Sequence, residues 1–246
     1  MSNMEFKKTG KSVLLFSGGM DSVMYSHLLN PDILLRIGMN EKYEIMEGQH
    51  ADRVVSRAHW SNKYLRVDNV FDLSRYERED YIIPGRNVYI ITLASLYGEK
   101  IYLSSVHGDR SLDKDKTFYT MMTSLLNHIW DEQHWTEKRE FTMTAPFKDY
   151  TKTELLKQFL NEGGDAGLIY ESYSCYEGWN KPCGLCKPCV RKAVAMINNK
   201  LDITDYFMHN PITGIDSLVE LINAGTYDRG KENTDFLSAW ENLHAH

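Results

Sequence analysis

Apolar residues fall along this chain in short unbroken runs, each followed by a longer stretch in which they recur at helical spacing. Residues 12–16 read Ser-Val-Leu-Leu-Phe and run into glycines. A run this short, closed by residues that favour turns, predicts a buried strand, and the spacing over 20–29 predicts the helix after it. The same reading predicts strands at 33–37, 64–67, 101–104 and 141–144, and helices near 43–57, 88–97, 117–130 and 152–161. Met121, Met122, Leu125 and Leu126 are expected to fill the core, and packing accounts for Trp130 and Trp135. Strand and helix alternate, which predicts an α/β fold: a doubly wound parallel sheet, covered on both faces, with ligands at the carboxyl ends of its strands. Beyond Gly163 the pattern changes to a cysteine-bearing loop, a helix over 190–199, and helical stretches around 215–224 and 235–244. No internal repeat or low-complexity segment interrupts it.

A chain of 246 residues, 42% of them hydrophobic, encloses one sizeable core and leaves little for a second full domain. The expected division is an α/β nucleotide-binding core over 1–165, a cysteine element with its helix over 166–200, and a helical tail over 201–246 that packs on the core or serves a dimer contact. A formal net charge of -6 argues against a broad nucleic-acid footprint and favours a small-molecule substrate. Residues 1–11 are polar, carry several lysines and precede no long apolar stretch, so neither a signal peptide nor a membrane span is expected and the location is read as cytoplasmic.

All 4 cysteines, Cys175, Cys183, Cys186 and Cys189, lie in one short segment. A close C-x2-C-x2-C run with a fourth cysteine upstream suits tetrahedral metal binding. Two disulfides remain possible by arithmetic, although a reducing compartment disfavours them, and an iron-sulfur cluster is the other alternative. Four thiolates on one zinc ion leave no open coordination position, so such a site clamps the loop and does not activate water.

Ser17-Gly18-Gly19-Met20-Asp21-Ser22 follows the first strand and opens a helix, so its backbone amides and the helix dipole can converge on a phosphate. The Walker spacing and the G-x-G-x-x-G fingerprint are both absent. The hexapeptide resembles the SGGxDS loop of the ATP pyrophosphatase superfamily, whose members cut ATP between its α and β phosphates while passing AMP to a carbonyl or carboxylate oxygen. On that resemblance the amides of Gly18 and Gly19 and the hydroxyls of Ser17 and Ser22 stabilise the pyrophosphate charge, and Asp21 holds magnesium or orders the loop. A plain glycine turn capped by Ser17 or Asp21 is the bland reading.

Three further segments narrow the resemblance. Pro84-Gly85-Arg86-Asn87 looks like the PGRN segment of the 7-cyano-7-deazaguanine synthases, where Arg86 would reach phosphate with Asn87 beside the nucleotide; otherwise it is a turn with Asn87 as a helix cap. Ser174-Cys175-Tyr176, Cys183-Gly184-Leu185-Cys186-Lys187-Pro188-Cys189 and Arg191 resemble the same family's SCY…CGxCxxC…R signature. Ala145-Pro146-Phe147 with Thr151-Lys152 matches the family segment whose lysine lies near the phosphates, against a solvated lysine in a first helical turn.

The resemblance runs from about Lys11 to about Met196. It implies a PP-loop ATP pyrophosphatase core with a zinc-bearing element, often a homodimer, using magnesium with ATP and structural zinc. Asp21, Arg86 and Lys152 become the candidate catalytic residues. The implied reaction converts 7-carboxy-7-deazaguanine and ammonia to 7-cyano-7-deazaguanine through adenylated intermediates and an amide, as in queuosine biosynthesis, with no direct binding of nucleic acid. Two departures stand out. Ile37-Gly38-Met39 replaces the family's Tyr-Gly-Gln, and residues 107–118 replace its aspartate-rich stretch ending in Tyr-Pro-Asp-Cys-Arg and Phe. Asp109 and Asp113 in that stretch are candidate base-recognition residues or simply solvated charges. The divergence motivates a variant that stops at the amide or couples the carboxylate to another amine; a non-catalytic nucleotide-binding partner module is the alternative of another class. His107, His244 and His246 are read as structural or exposed.

Overall fold

The computed structural model describes residues 7–244; residues 1–6 of the polar N-terminus and His246 lie outside them. Strands β1 (Ser12–Leu15), β2 (Ile33–Ile37), β3 (Tyr64–Val67), β4 (Lys100–Leu103) and β5 (Thr142–Thr144) form one parallel sheet in the order β3-β2-β1-β4-β5. Helices α1 (Met20–Leu29), α2 (Glu44–Arg57), α3 (Arg86–Ala94), α4 (Lys116–Ile129) and α5 (Lys152–Asn161) connect or follow the strands. Then come α6 (Ala166–Glu171), α7 (Lys187–Asn198), α8 (Ile212–Asn223) and α9 (Glu232–His244).

Alternation along β1 sets the two faces. Leu14 joins Phe16, Val23, Met24, Val54, Leu156 and Phe159 on one side, while Val13 and Leu15 join Leu35, Ile91, Ile101 and Leu126 on the other. Strands buried on both faces read as continuous apolar runs, which is why 12–16 and 33–37 were legible. Each buried leucine or isoleucine contributes about 1.5–3 kcal/mol, so both layers are needed to hold the sheet. The strand order reverses between β1 and β4, and the crevice outside their carboxyl ends is where doubly wound sheets bind ligands.

Several helices start earlier than apolar spacing suggests. Pro188 sits in the first turn of α7, where its fixed φ and missing amide are tolerated, so the helix begins at Lys187 and not at 190. Helix α6, not anticipated, is nucleated by Asp165, whose side chain accepts from the Gly167 amide. Short 3-10 turns at Ser74–Tyr76 and Leu112–Lys114 were likewise unforeseen. On α4 the core expectation is corrected: Met122 and Leu126 are buried, whereas Met121 and Leu125 are 65% and 43% exposed, because neighbours one position apart on a helix point about 100° apart. Trp130 is buried and Trp135, packed edge-on against it, is 45% exposed. Among the described residues, no helix is long and apolar enough to cross a membrane.

Candidate active site

The glycine loop leaves β1 at the switch point and enters α1. Gly18 has φ of +79°, and a Cβ there would stand 2.7 Å from the Cβ of Ala51 on α2, so only glycine lets the loop lie this close. Gly19 is the N-cap of α1 and carries no side chain to cap it, so neither Ser17 nor Asp21 occupies the N-cap position. The Gly19 amide donates to Ser17 Oγ at 3.2 Å, and Ser22 Oγ donates to the Gly19 carbonyl at 2.9 Å. Ser17 and Ser22 hydroxyls lie 3.4 Å apart, so both face one small volume at the helix N-terminus.

Asp21, in the first turn of α1, meets Lys152, the first residue of α5. Lys152 Nζ lies 2.5 Å from both Asp21 carboxylate oxygens. Lys152 is only 7% exposed, and its position is fixed by a capping box in which Thr151 and Glu154 satisfy each other's backbone amides. The solvated-lysine reading is therefore excluded by burial.

Beyond β4 the chain turns through Ser105, Val106, His107, Gly108 and Asp109. Tyr25 of α1 donates to the Ser105 carbonyl at 2.6 Å and accepts from the Phe147 amide at 3.2 Å, tying the loops after β4 and β5 to the first helix. Burial pushes the Tyr25 phenol far up, so it stays a neutral donor. Asp109 is nearly buried: Arg191 Nη1 donates to it at 3.0 Å, and Lys114 Nζ lies 3.7 Å away. Burial raises its carboxyl, yet Lys114, Arg191 and Lys152 together hold it well below the usual carboxylate range. Asp113 accepts from the Ser111 hydroxyl in the 3-10 turn, and its carbonyl accepts from Asn87 Nδ2 at 3.2 Å. Asn87 is inside the first turn of α3, behind an N-cap glycine, so it ties α3 to this turn and is not a cap.

Arg86 opens α3. Its Nη1 donates to Glu41 Oε1 and to the Tyr43 hydroxyl, both at 3.2 Å. Burial raises the Glu41 carboxyl and Arg86 opposes that shift. The guanidinium is thus engaged by the turn before α2. A second arginine lies nearer the loop: Arg36 of β2, 3% exposed, donates to the Ser17 carbonyl at 3.0 Å and to the Glu44 carbonyl at 2.9 Å. A lone arginine inside the apolar run Ile-Leu-Leu-Arg-Ile was the available signal for it. At Ile37-Gly38-Met39 the turn is closed by Glu44, which accepts from the Met39 amide at 2.6 Å.

The cysteine element backs onto the glycine loop. Ser174 Oγ lies 3.4 Å from the Met20 amide, the Tyr173 amide donates to the Gly18 carbonyl at 3.1 Å, and the Tyr173 ring stacks on His50. The ligand sulfurs of Cys175, Cys183, Cys186 and Cys189 all lie within 4.8 Å of one another. Amides of Glu177 and Cys183 donate to Cys175 Sγ at 3.4 Å, and those of Leu185 and Cys186 to Cys183 Sγ at 3.3 Å. Such donors favour a thiolate at Cys175, whose thiol the hydrogen bonds from Cys186 and Cys189 push far down, while the bonds to Cys175 push the thiols of Cys186 and Cys189 up. The set can hold a metal ion.

Of the candidates, then, Ser17 to Ser22, Asp21, Lys152 and Asp109 gather at the switch point. Asn87 is bonded to the Asp113 carbonyl and Arg86 to Glu41 and Tyr43, and the cysteine element adjoins the loop through Tyr173 and Ser174.

A family model described as Queuosine biosynthesis protein QueC matches residues 11–200. A 7-cyano-7-deazaguanine synthase from Archaeoglobus fulgidus is 27% identical over 218 residues, covering 77% of this chain and 87% of that protein. Proteins of the same name from Porphyromonas gingivalis and Hahella chejuensis are 25% and 26% identical, covering 79% of this chain and 96% and 91% of theirs. Among solved structures, the U34-tRNA thiolase NcsA from Methanococcus maripaludis with its 4Fe-4S cluster aligns over 98% of this chain and 74% of that one, with a TM-score of 0.44 and 13% identity.

Proposed function

Because the chain belongs to the QueC family of queuosine biosynthesis proteins, we propose that it is an ATP-dependent carbon-nitrogen ligase that converts 7-carboxy-7-deazaguanine and ammonia to 7-cyano-7-deazaguanine. The observation that carries this reading is the pairing of buried Lys152 with half-buried Asp21 in the Ser17 to Ser22 loop at the switch point. Cleaving ATP at its α phosphate leaves charge on pyrophosphate. A helix N-terminus, two hydroxyls and an ammonium converge where that charge would sit.

The chemistry needs activation twice. A carboxylate will not expel oxide, so its oxygen takes AMP from ATP and releases pyrophosphate. Ammonia then attacks the acyl carbon, AMP leaves, and one proton is lost to give the amide. Adenylation of the amide oxygen makes that oxygen a leaving group too, and loss of AMP with two protons from nitrogen gives the nitrile. Asp21 would take magnesium with ATP, releasing Lys152 toward the phosphates. Arg86 and Asn87 would reach the nucleotide phosphates, and Asp109 and Asp113 would line the acceptor side, where a carboxylate such as Asp113 can accept hydrogen bonds from ring donors.

Cys175, Cys183, Cys186 and Cys189 would hold zinc. A tetrahedral zinc–thiolate shell with bonds of about 2.3 Å separates its sulfurs by about 3.8 Å, and Cys183 Sγ lies 3.9 Å from Cys189 Sγ. Zinc would supply a clamp for the segment behind the glycine loop. In this reading residues 1–165 are the catalytic core, 166–200 the zinc element and 201–246 a tail, working as a homodimer in the cytoplasm.

The test is mass spectrometry of the product formed from ATP, magnesium, ammonium and 7-carboxy-7-deazaguanine, with Asp21→Ala as control. The nitrile is the expected product. An accumulating amide would assign a variant that stops early or uses another amine, a reading favoured by the divergent loop at 107–118. Untouched substrate with no AMP would sink the proposal and leave a nucleotide-binding module.

A further inference from the structure

The chain beyond residue 200 lies outside the family match, yet it reaches the active site through a buried acid that nothing above uses. Glu232, the first residue of α9, is 2% exposed. Its Oε1 accepts from Arg191 Nε at 2.6 Å, and Arg229 Nη1 lies 3.7 Å from its Oε2. Arg191 spends its other nitrogens on Asp109 Oδ1 and the His107 carbonyl, both at 3.0 Å. Arg229 donates to the Gly108 carbonyl at 2.7 Å, and its own carbonyl lies 3.1 Å from His107 Nε2. Residues 107, 108 and 109 are therefore each held by residues 191 or 229.

Gly108 shows that the fit is built into the loop. Its φ is +88°, and a Cβ there would stand 2.1 Å from Glu232 Oε2 and 3.0 Å from Arg191 Nη2. A side chain is excluded both by backbone conformation and by the carboxylate occupying its place. Lys231 extends the grip to a second loop. Its Nζ lies 2.6 Å from Oε2 of Glu154, the capping-box residue that fixes the start of α5 and hence Lys152.

We propose that residues 229–232 form a clamp in cis that sets the acceptor side of the active site, with Glu232 the positioning residue that holds Arg191 against Asp109. This rests on the reading that a planar heteroaromatic carboxylate binds beside Asp109. A loop leaving the carboxyl end of a strand has no ladder to order it, and ordering it on binding would cost affinity. The clamp orders it beforehand. The clamped residues belong to the stretch that departs from the family pattern, and the clamp belongs to the stretch the family model does not cover, so the changed loop and the tail form one device.

The test compares wild type, Glu232→Gln, Glu232→Ala and, as control, Glu241→Gln on the exposed side of the same helix, in the full zinc-loaded chain. Hydrogen–deuterium exchange of peptides covering residues 104–114 is read alongside KM for 7-carboxy-7-deazaguanine, KM for ATP and kcat. The expected result is faster exchange confined to that loop and an acceptor KM raised about tenfold or more, because one partner of a buried pair is stranded. KM for ATP should stay within about twofold and Glu241→Gln should match wild type. Unchanged exchange in both Glu232 variants overturns the clamp. Equal changes in both KM values reduce Glu232 to a general structural role and overturn its assignment to the acceptor side. If wild type makes no product at all, the functional reading fails, and exchange alone still decides whether the clamp exists.

Discussion

Lys152 and Asp21 are far apart in sequence, and each is the first or second residue of its helix, so two helix starts are brought nose to nose at the switch point. Removing the ammonium leaves Asp21 without its partner and, in the proposed reaction, the pyrophosphate charge without its lysine. Lys152→Ala is expected to lower pyrophosphate release by about 10²- to 10³-fold, the size of effect seen when one donor of an anion hole is lost. A coupled phosphate assay reads it, and retained wild-type rates would remove Lys152 from the chemistry. A second residue reports through pH. Burial pushes the Glu47 carboxyl up to about 7 from 4.5, against the pull of Arg36. Between those values the folded chain holds a proton that the unfolded chain has lost. Glu47 thus favours folding at the acid end, and that contribution disappears as pH rises through about 7. Its side chain keeps 21% of its exposure, which softens the effect. Urea unfolding of Glu47→Gln should gain on wild type by about 1–2 kcal/mol between about pH 5 and about pH 7.5, and a constant difference would show that Glu47 ionises freely in the fold.

At the scale of elements, the cysteine loop and the glycine loop are one structure, since Tyr173 and Ser174 run from the first cysteine directly onto Gly18 and Met20. A metal held by the four thiolates would therefore act on nucleotide binding through the backbone. Stripping it with a strong chelator is expected to lower the melting temperature and raise KM for ATP several-fold, both restored by one equivalent of zinc. Loss of stability with an unchanged KM for ATP would confine the element to the fold. Both loops were legible in the sequence because their ligands are close together: a glycine turn between an apolar run and a helix, and cysteines at metal spacing. What they touch was not legible. Ser174 meets Met20, and Arg191 meets Asp109, across sequence separations that no local pattern reports. Arg86 could be read as opening a helix after a proline-glycine turn, yet its direction toward Glu41 and Tyr43 depends on where the start of α2 packs. Helix starts were missed for a different reason, since Pro188 and Asp165 start helices by local chemistry that apolar spacing does not report.

In the molecule as a whole, α7 is the member through which these parts communicate. Cys189 faces the thiolate cluster, and Ala195 and Met196 enter the main core beneath the sheet. Lys192, 2% exposed, donates to the carbonyls of Ile169 and Ser172 at 2.7 Å and so fixes the segment leading to Tyr173. Arg191 holds the loop after β4. The remaining face, Val190 and Val194, is sealed by Ile215 and Val219 of α8 and by Phe236 and Ala239 of α9. The tail helices thus cover a helix whose other sides adjoin the cysteine cluster, the segment leading to the glycine loop and the loop after β4. Phe236 is fully buried at the centre of that contact. Truncating a buried phenylalanine costs about 3–5 kcal/mol, which for a chain of this size lowers the melting temperature by about 10 °C. Phe236→Ala is therefore expected to melt about 10 °C lower by calorimetry, to loosen the acceptor loop through Glu232, and to retain its full metal content, because the sulfur ligands and their amide donors lie on the other side of α7. Calorimetry paired with metal analysis separates the cases. Coincident loss of metal and tail packing would mean that α7 transmits strain along its length and the parts fold as one, whereas metal retained at a lowered melting temperature would show that the cysteine element stands on its own and the tail is a separate support for the acceptor side.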